Sequence, residues 1–166
     1  MVLPDVLAPG LRVVFCGTAA GEASARRGAY YAGPGNQFWA TLQEIGLTPR
    51  LLSPTQFASL PDFGAGLTDV SKTEFGADNA LTSNAFDVAG LIARLEAVRP
   101  AIVAFNGKKA AEIVLGHKVE YGVQSERLAG AQVHVLPSTS GAARGFWDVG
   151  HWRALGDAVR ALGTPT

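Results

Sequence analysis

Short apolar runs alternate with helical patterns along the chain. Three runs are bounded by turn residues and are typical of strands covered on both faces; they cover residues 11–16, 101–105 and 132–136. A weaker fourth candidate covers residues 64–68. Apolar residues at helical spacing predict helices over residues 36–45, 87–98, 109–115 and 147–162. Strands that alternate with helices in this way predict an α/β fold, with a mainly parallel sheet flanked by helices on both faces.

Composition narrows the class of protein further. The 166 residues are predicted to form a single domain, 1–166, with 48% hydrophobic and 17% charged residues. The formal net charge is zero, so no overall field attracts a polyanion, although a local basic patch would not appear in the sum. The single cysteine, Cys16, excludes an internal disulfide and a multi-cysteine metal site. No apolar stretch is long enough to span a bilayer, and we expect a soluble, cytoplasmic protein.

Polar or glycine-rich residues follow all four predicted strands. The first strand is followed by residues 17–21 (GTAAG), the second by Asp69, the third by residues 106–108 (NGK) and the fourth by residues 137–144 (PSTSGAAR). In a parallel α/β sheet, ligands bind outside the carboxyl ends of the strands. Each of these segments alone could be an ordinary turn between a strand and a helix, but the four together indicate one binding crevice.

Two carboxylates lie near the predicted strand ends, Asp69 and Glu22. Asp69 directly follows an apolar strand, which fixes its backbone and directs its side chain over the crevice. Glu22 lies where a helix can begin, and there the helix dipole favours a carboxylate without any catalytic role. A capping or turn-forming role stays open for Asp69, but it is the better candidate for a catalytic carboxylate.

Other chemistries have little support in the sequence. The Asn-Gly-Lys segment lacks the longer pattern of a phosphate-binding loop, and no dinucleotide fingerprint follows the first strand. The three histidines, His117, His134 and His151, have no ligand spacing, so no metal site is expected. Ser138 and Ser140 lack the context of a nucleophile elbow.

Three segments in a fixed order carry a family resemblance. Residues 8–17 (APGLRVVFCG) are followed by Ala20 and Gly21; residues 28–32 (GAYYA) are followed by Pro34, Asn36, Phe38 and Trp39; the third segment is residues 136–144 (LPSTSGAAR). The combination resembles the bacterial mismatch-specific uracil-DNA glycosylases, which are relatives of thymine-DNA glycosylase. The similarity runs over nearly the whole chain.

The resemblance implies a three-layer sandwich with a four-stranded, mainly parallel sheet. It also implies a monomeric enzyme, without a cofactor, that hydrolyses the N-glycosidic bond of uracil in double-stranded DNA, especially in G·U mispairs. The damaged nucleotide would be rotated out of the stack into a pocket. By position, the base pocket would consist of Gly17, Thr18, Ala19 and Tyr31, with the Tyr31 ring stacked on the base.

The same resemblance implies a loop that enters the minor groove and fills the vacated space; its residues are Ser138, Ser140, Gly141, Ala142, Ala143 and Arg144. Two lysines, Lys72 and Lys108, are candidates for contacts with DNA phosphates, although either could be merely solvated.

Two departures from the family pattern bear on the mechanism. The family places a water-orienting Asn where this chain has Ala19, and a wedge Leu where it has Ala142. Asp69 stands where the bacterial relatives carry Lys. We therefore hypothesise that the catalytic polar group has moved to Asp69, which would stabilise positive charge on the sugar and accept a proton from water. Two alternatives stay open: a catalytically impaired protein that binds DNA damage, and a hydrolase of free nucleosides or nucleotides.

Overall fold

A five-stranded sheet forms the centre of the computed structural model, which describes residues 1–76, 81 and 86–163. The strands are β1 (Val13–Gly17), β2 (Ala65–Asp69), β3 (Ile102–Asn106), β4 (Gly122–Leu128) and β5 (Ala131–Leu136). Their order across the sheet is β2-β1-β3-β5-β4. The first four neighbours pair in parallel, and β4 pairs antiparallel to β5 at the edge. The predicted α/β class with a mainly parallel sheet is confirmed.

The expected number of four strands was too low by one. The strand missing from the prediction is β4, whose sequence GVQSERL contains no apolar run. Its residues alternate between half-buried and exposed until Leu128, as expected for a strand of which one face is solvated. The other four strands lie within one or two residues of their predicted bounds.

Among the described residues, five α-helices flank the sheet: α1 (Glu22–Arg27), α2 (Phe38–Glu44), α3 (Val88–Val98), α4 (Lys108–Leu115) and α5 (Val149–Ala161). The four predicted helices are confirmed with small shifts at their ends. The short α1 was not predicted as an element, and neither were the 3-10 helices Pro54–Phe63 and Gly141–Phe146. Within the described part of the chain, no helix is long and apolar enough to cross a membrane.

Two apolar clusters pack against the two faces of the sheet. On one face, Val13 and Phe15 of β1 contact a cluster that includes Phe38 of α2 and Trp152 of α5. On the other face, Val14 and Cys16 of the same strand pack with residues of α3 and α4. Successive side chains of a strand point to opposite faces, so every residue of β1 is buried. The fold is therefore a three-layer sandwich. Since helices cover both faces of the sheet, a ligand would bind at the carboxyl edge of the strands.

Candidate active site

A cavity of about 750 Å³ opens at the carboxyl edge of the sheet. All four parallel strand ends contribute to its wall, as the sequence predicted: Gly17, Thr18 and Ala19 after β1, Asp69 at the end of β2, residues 106–109 after β3, and residues 138–143 after β5. Tyr30 and Tyr31, from the segment between α1 and α2, also line it. The structure thus brings the predicted base-pocket residues, the candidate carboxylate and most of the predicted DNA loop to one crevice.

Backbone pairing fixes Asp69 opposite Gly17. The two residues are partners at the carboxyl ends of β2 and β1. Pairing then continues beyond the strands, since the Val70 amide donates to the Gly17 carbonyl at 2.9 Å and the Ser71 amide donates to the Thr18 carbonyl at 2.8 Å. The segment that carries Thr18 and the segment that carries Asp69 are therefore parts of one hydrogen-bonded ribbon.

The Asp69 carboxyl is buried, with 3% of the residue exposed. Burial raises its pKa to about 7, and the Asp5 carboxylate contributes in the same direction, while Lys72 and Arg94 oppose the rise. Removing a carboxylate from water favours its neutral form. An acid with this pKa exchanges its proton near neutral pH, which suits a general base or an electrostatic stabiliser. The competing carboxylate, Glu22, also lines the cavity, but it is exposed at the first position of α1.

Gly17 makes room for the carboxyl group. A methyl group built on its Cα would lie 2.8 Å from Asp69 Oδ1 and 3.2 Å from Tyr31 Oη. Any larger residue at this position would thus collide with Asp69. Glycine is required here because neighbouring side chains approach closely. A left-handed backbone is not the reason, since the φ of Gly17 is not positive.

Tyr31 has a strained backbone at the wall of the cavity. Its φ of 53° lies in the left-handed region, which costs a bulky residue about 1 to 3 kcal/mol. The ring stacks on Phe38 with centroids 4.1 Å apart and an interplanar angle of 29°. Burial, followed by the charge of Asp69, raises the pKa of Tyr31, so the phenol is neutral at neutral pH. Such strain is maintained by surrounding packing and is common where a side chain is held for function.

The Tyr31 hydroxyl makes no hydrogen bond within the described residues. The Asn106 amide lies near enough to oppose the rise in the pKa of Tyr31, but it does not meet the geometry of a hydrogen bond. Tyr31 Oη and the Asp69 carboxyl therefore share the space above Gly17 without being fixed by a common partner.

Asn106 is locked in place by Thr139. Asn106 Nδ2 donates to Thr139 Oγ1 at 2.9 Å, and the Thr139 amide donates to Asn106 Oδ1 at 3.0 Å. Both residues are buried. An amide side chain has two hydrogens and two acceptor positions, so one donor and one acceptor remain at the cavity wall. Asn106 was predicted to lie at a strand end, without a role. Its pairing with Thr139, 33 residues away, could not be predicted from the residues around it.

The predicted DNA loop is anchored at its base and exposed at its tip. Trp152 Nε1 donates to the Pro137 carbonyl at 2.9 Å, and the Gln37 amide donates to the Thr139 carbonyl at 2.9 Å. Beyond these anchors, Gly141–Phe146 forms a 3-10 helix on which Ala142 is exposed. Gly141 packs against the Pro34 carbonyl, 3.1 Å from the position of an added Cβ. Residues 138–143 thus form an anchored ridge of small side chains at the cavity.

Two other residues of this loop have local partners. The Ser140 amide donates to Ser138 Oγ at 3.2 Å, which tightens the turn. Arg144 is exposed, and its Nη2 lies 3.4 Å from the Gly35 carbonyl. Arg144 is not among the residues that line the cavity, so of the predicted loop it alone lies outside the crevice.

The two candidate phosphate-binding lysines have different environments. Lys108 lies at the cavity, with Nζ 4.4 Å from the centroid of the Tyr121 ring and 4.0 Å from Glu120 Oε2. Lys72, in contrast, is directed into the protein: its Nζ is 2.8 Å from Asp5 Oδ1, and the side chain is only 14% exposed. This placement does not support a phosphate contact by Lys72.

Within the described residues, no group of three or more His, Cys, Asp and Glu side chains is placed to hold a metal ion. The cavity wall carries a buried carboxyl, an oriented amide and a tyrosine.

The geometry defines an α/β protein with a buried carboxyl in the wall of a strand-end cavity. The family model described as Uracil DNA glycosylase superfamily matches residues 4–152. The chain therefore belongs to the uracil DNA glycosylase superfamily. Neither this match nor the next distinguishes the mismatch-specific family within it, and that finer assignment stays a prediction.

A solved structure agrees with the family match. The chain is similar to the solution NMR structure of a protein from Methanosarcina acetivorans that has been provisionally assigned as a uracil DNA glycosylase. The two share 25% sequence identity with a TM-score of 0.67, over 95% of this chain and 96% of the other. The match covers both chains almost completely, so the similarity extends over the whole fold.

Proposed function

We propose that this protein is a monofunctional DNA glycosylase that rotates uracil, especially from G·U mispairs, out of double-stranded DNA and hydrolyses its N-glycosidic bond. The observation that carries the proposal is the buried Asp69 carboxyl at a cavity wide enough for a nucleotide, with a pKa raised to about 7. Membership of the superfamily supports the glycosylase role, and the site chemistry supports Asp69 as the catalytic residue.

Asp69 acts in two ways in the proposed reaction. As the bond between C1′ and the base breaks, its electron pair leaves with uracil and positive charge develops on the sugar. The carboxylate stabilises that charge, and it accepts a proton from the water that attacks C1′. The new C1′–O bond completes hydrolysis, and the proton returns to the departing uracil anion. Because only the ionised form can act, cleavage should increase with pH through the pKa of Asp69.

The rest of the cavity is suited to hold the extrahelical base. The pocket of Gly17, Thr18 and Ala19 follows β1, and the Tyr31 ring would stack on the base, an interaction worth about 1 to 3 kcal/mol. The remaining donor and acceptor of Asn106 match one carbonyl and the ring N–H of a pyrimidine edge. The small side chains of Ala19 and Ala20 leave room for other bases as well.

Contacts with the duplex would come from the rim. The ridge formed by residues 138–143 would enter the minor groove, with Ala142 at its tip. An alanine fills little of the vacated base stack, so flipping should depend strongly on how weakly the target base is paired, which favours mispairs. Lys108, which lines the cavity, would contact a phosphate.

Cleavage of defined oligonucleotides tests the proposal. Wild-type protein should release uracil from a G·U duplex, so that alkali then breaks the strand, and Asp69→Asn should lose this activity while still binding the duplex. Intact strands at high concentrations of wild-type protein would instead favour a protein that only binds damage. Turnover of free deoxyuridine, without salt-dependent duplex binding, would favour a nucleoside hydrolase.

A panel of substrates tests the finer specificity. U·G, U·A, single-stranded U, T·G and hypoxanthine in otherwise identical oligonucleotides should rank with U·G first. Equal rates for U·G and U·A would contradict the preference for mispairs while leaving the glycosylase reaction in place.

A further inference from the structure

A cluster of charged side chains contacts the strand that carries Asp69. One oxygen of Asp5, Oδ1, lies 2.8 Å from Lys72 Nζ, and the other, Oδ2, lies 2.8 Å from Arg94 Nε. The Arg94 N–H does not point at that oxygen, so the contact is an ion pair and not a hydrogen bond. Thr68 Oγ1 donates to Asp5 Oδ1 at 2.8 Å. The three charged side chains are 14 to 26% exposed, so water screens them only in part.

The cluster is joined to both Asp69 and the cavity wall. Arg94 Nη2 donates to the main-chain carbonyl of Asp69 at 3.1 Å. Lys72 Nζ donates to Tyr30 Oη at 3.1 Å, and Tyr30 lines the cavity. Lys72 is therefore held on two sides, by Asp5 and by Tyr30, three residues after the candidate catalytic carboxylate.

The N-terminal segment delivers Asp5 to this position. Val6 forms an antiparallel bridge with Leu67 of β2, and the Val2 amide donates to the Lys72 carbonyl at 2.8 Å. These main-chain bonds lie on either side of Asp5 in the sequence. These bonds hold the main chain of Asp5 beside β2, and the ion pairs hold its side chain.

We propose that Lys72 and Asp5 are positioning residues that act through Asp69: the held Lys72 ammonium keeps the carboxylate ionised for catalysis, and Asp5 limits that effect. The proposal rests on the function proposed above, in which Asp69 reacts as a carboxylate. It also explains why Lys72 is directed inward and not toward a phosphate.

The charges around Asp69 set the direction of each effect. Burial is the main cause that raises the pKa of Asp69; Lys72 opposes it, Asp5 adds to it, and Arg94 opposes it. The other titratable groups near it are neutral near pH 7, since burial raises the pKa of Cys16, of Tyr30 and of Tyr31. Against the constant effect of burial, the charges that act on the pKa of Asp69 are therefore one anion and two cations.

Two substitutions should move the titration of Asp69 in opposite directions. Lys72→Met removes a cation and should raise the midpoint of the pH–kcat/KM profile by about 1 pH unit. Asp5→Asn removes a negative charge but keeps an oxygen that can accept from Lys72 and Thr68, so it should lower the midpoint. Lys72→Arg, which keeps the charge, should restore a profile near that of the wild type. A purely structural role would lower rates without moving the midpoints in opposite directions.

The same titration can be followed without turnover. In protein labelled with ¹³C at Asp carboxyls, the Asp69 signal is assigned by its loss in Asp69→Asn, and its titration should shift as the profiles do. If wild-type protein cuts no uracil duplex, the proposed function fails, yet this signal still tests the role of Lys72 and Asp5. Lys118→Met, at an exposed lysine paired with Glu112, is the matched control and should shift nothing.

The proposal is overturned if either Lys72→Met or Asp5→Asn fails to shift the Asp69 titration in its stated direction. Circular dichroism confirms folding before each titration. Should Lys72→Met not fold, Lys72→Gln takes its place, because it removes the charge but can still donate to Tyr30 and Asp5.

Discussion

Replacing the Asp69 carboxyl by an amide should stabilise the fold. The group is buried, and its pKa is raised from 3.8 to about 7, chiefly by burial. The folded protein therefore keeps this proton up to about pH 7, whereas the unfolded chain releases it near pH 3.8. Between these values the folded state binds more protons, so the free energy of unfolding contributed by this group decreases as pH rises.

The size of the effect follows from the shift. A difference of about 3 pH units, at 1.36 kcal/mol per unit, corresponds to roughly 4 kcal/mol. Asn has no proton to lose, so the advantage of Asp69→Asn should be near zero below pH 4 and greatest above pH 8. For a chain of this length, 4 kcal/mol is equivalent to an increase in Tm on the order of 10 °C.

Urea unfolding of both proteins between pH 4 and pH 9, followed by circular dichroism, measures this difference. Asp62→Asn, at an exposed carboxyl in the Pro54–Phe63 segment, is the control and should show no such rise with pH. A stability difference between Asp69→Asn and wild type that is flat across pH would refute the reasoning, as would an amide variant that is less stable at pH 8. The expected gain in stability with loss of activity is typical of a site that strains the fold for function.

Three further substitutions test other parts of the site. Gly17→Ala places a methyl group 2.8 Å from the candidate catalytic carboxyl, and single-turnover cleavage should slow by about tenfold or more; Gly21→Ala, whose added methyl meets nothing within 4 Å, should keep the wild-type rate. Thr139→Val removes the acceptor of the Asn106 amide and should cost about 1 to 3 kcal/mol in urea unfolding and raise KM; an unchanged KM would argue against an oriented amide. Lys108→Gln should decrease the salt dependence of duplex binding by about one unit of slope in fluorescence anisotropy, whereas an unchanged slope would exclude a phosphate contact.

The central strands β1 and β3 could be predicted because their surroundings are uniform. Every residue of these two strands is buried, and helices flank both faces of the sheet, so the sequence contains continuous apolar runs with sharp ends. The edge strand β2 is also buried throughout, but its sequence AGLTD gives a weaker apolar signal. The edge strand β4 could not be predicted in this way, since only one of its faces is covered and its residues alternate. Its place in the sheet depends on pairing with β5, which no local pattern of residues 122–128 reveals.

The site was predictable where it depends on strand ends and not where it depends on distant contacts. Asp69 could be nominated because the carboxyl end of a parallel strand directs its side chain into the crevice. Lys72 was expected at a phosphate because it is a basic residue in a polar segment. Lys72 is directed inward because it pairs with Asp5, which the backbone brings to β2. Asp5 is distant in sequence from the residues it contacts there; Thr68, for example, is 63 positions away. The Asn106–Thr139 pair was missed for the same reason.

The ribbon that continues β1 and β2 beyond the sheet has a consequence for how the chain could change its substrate. The main chains of Thr18 and Ser71 are hydrogen-bonded to each other. Thr18 lies one residue after Gly17, and Ser71 lies two residues after Asp69, the strand partner of Gly17. The predicted base pocket and the Asp69 carboxyl therefore move together, and the distance between them is fixed by the spacing of the two main chains. The pocket cannot widen for a larger base by increasing the distance between these two segments. Space for such a base must instead come from the small side chains of Ala19 and Ala20. Variation in substrate should thus accumulate at those two positions, while the reacting bond stays at a constant distance from its carboxylate.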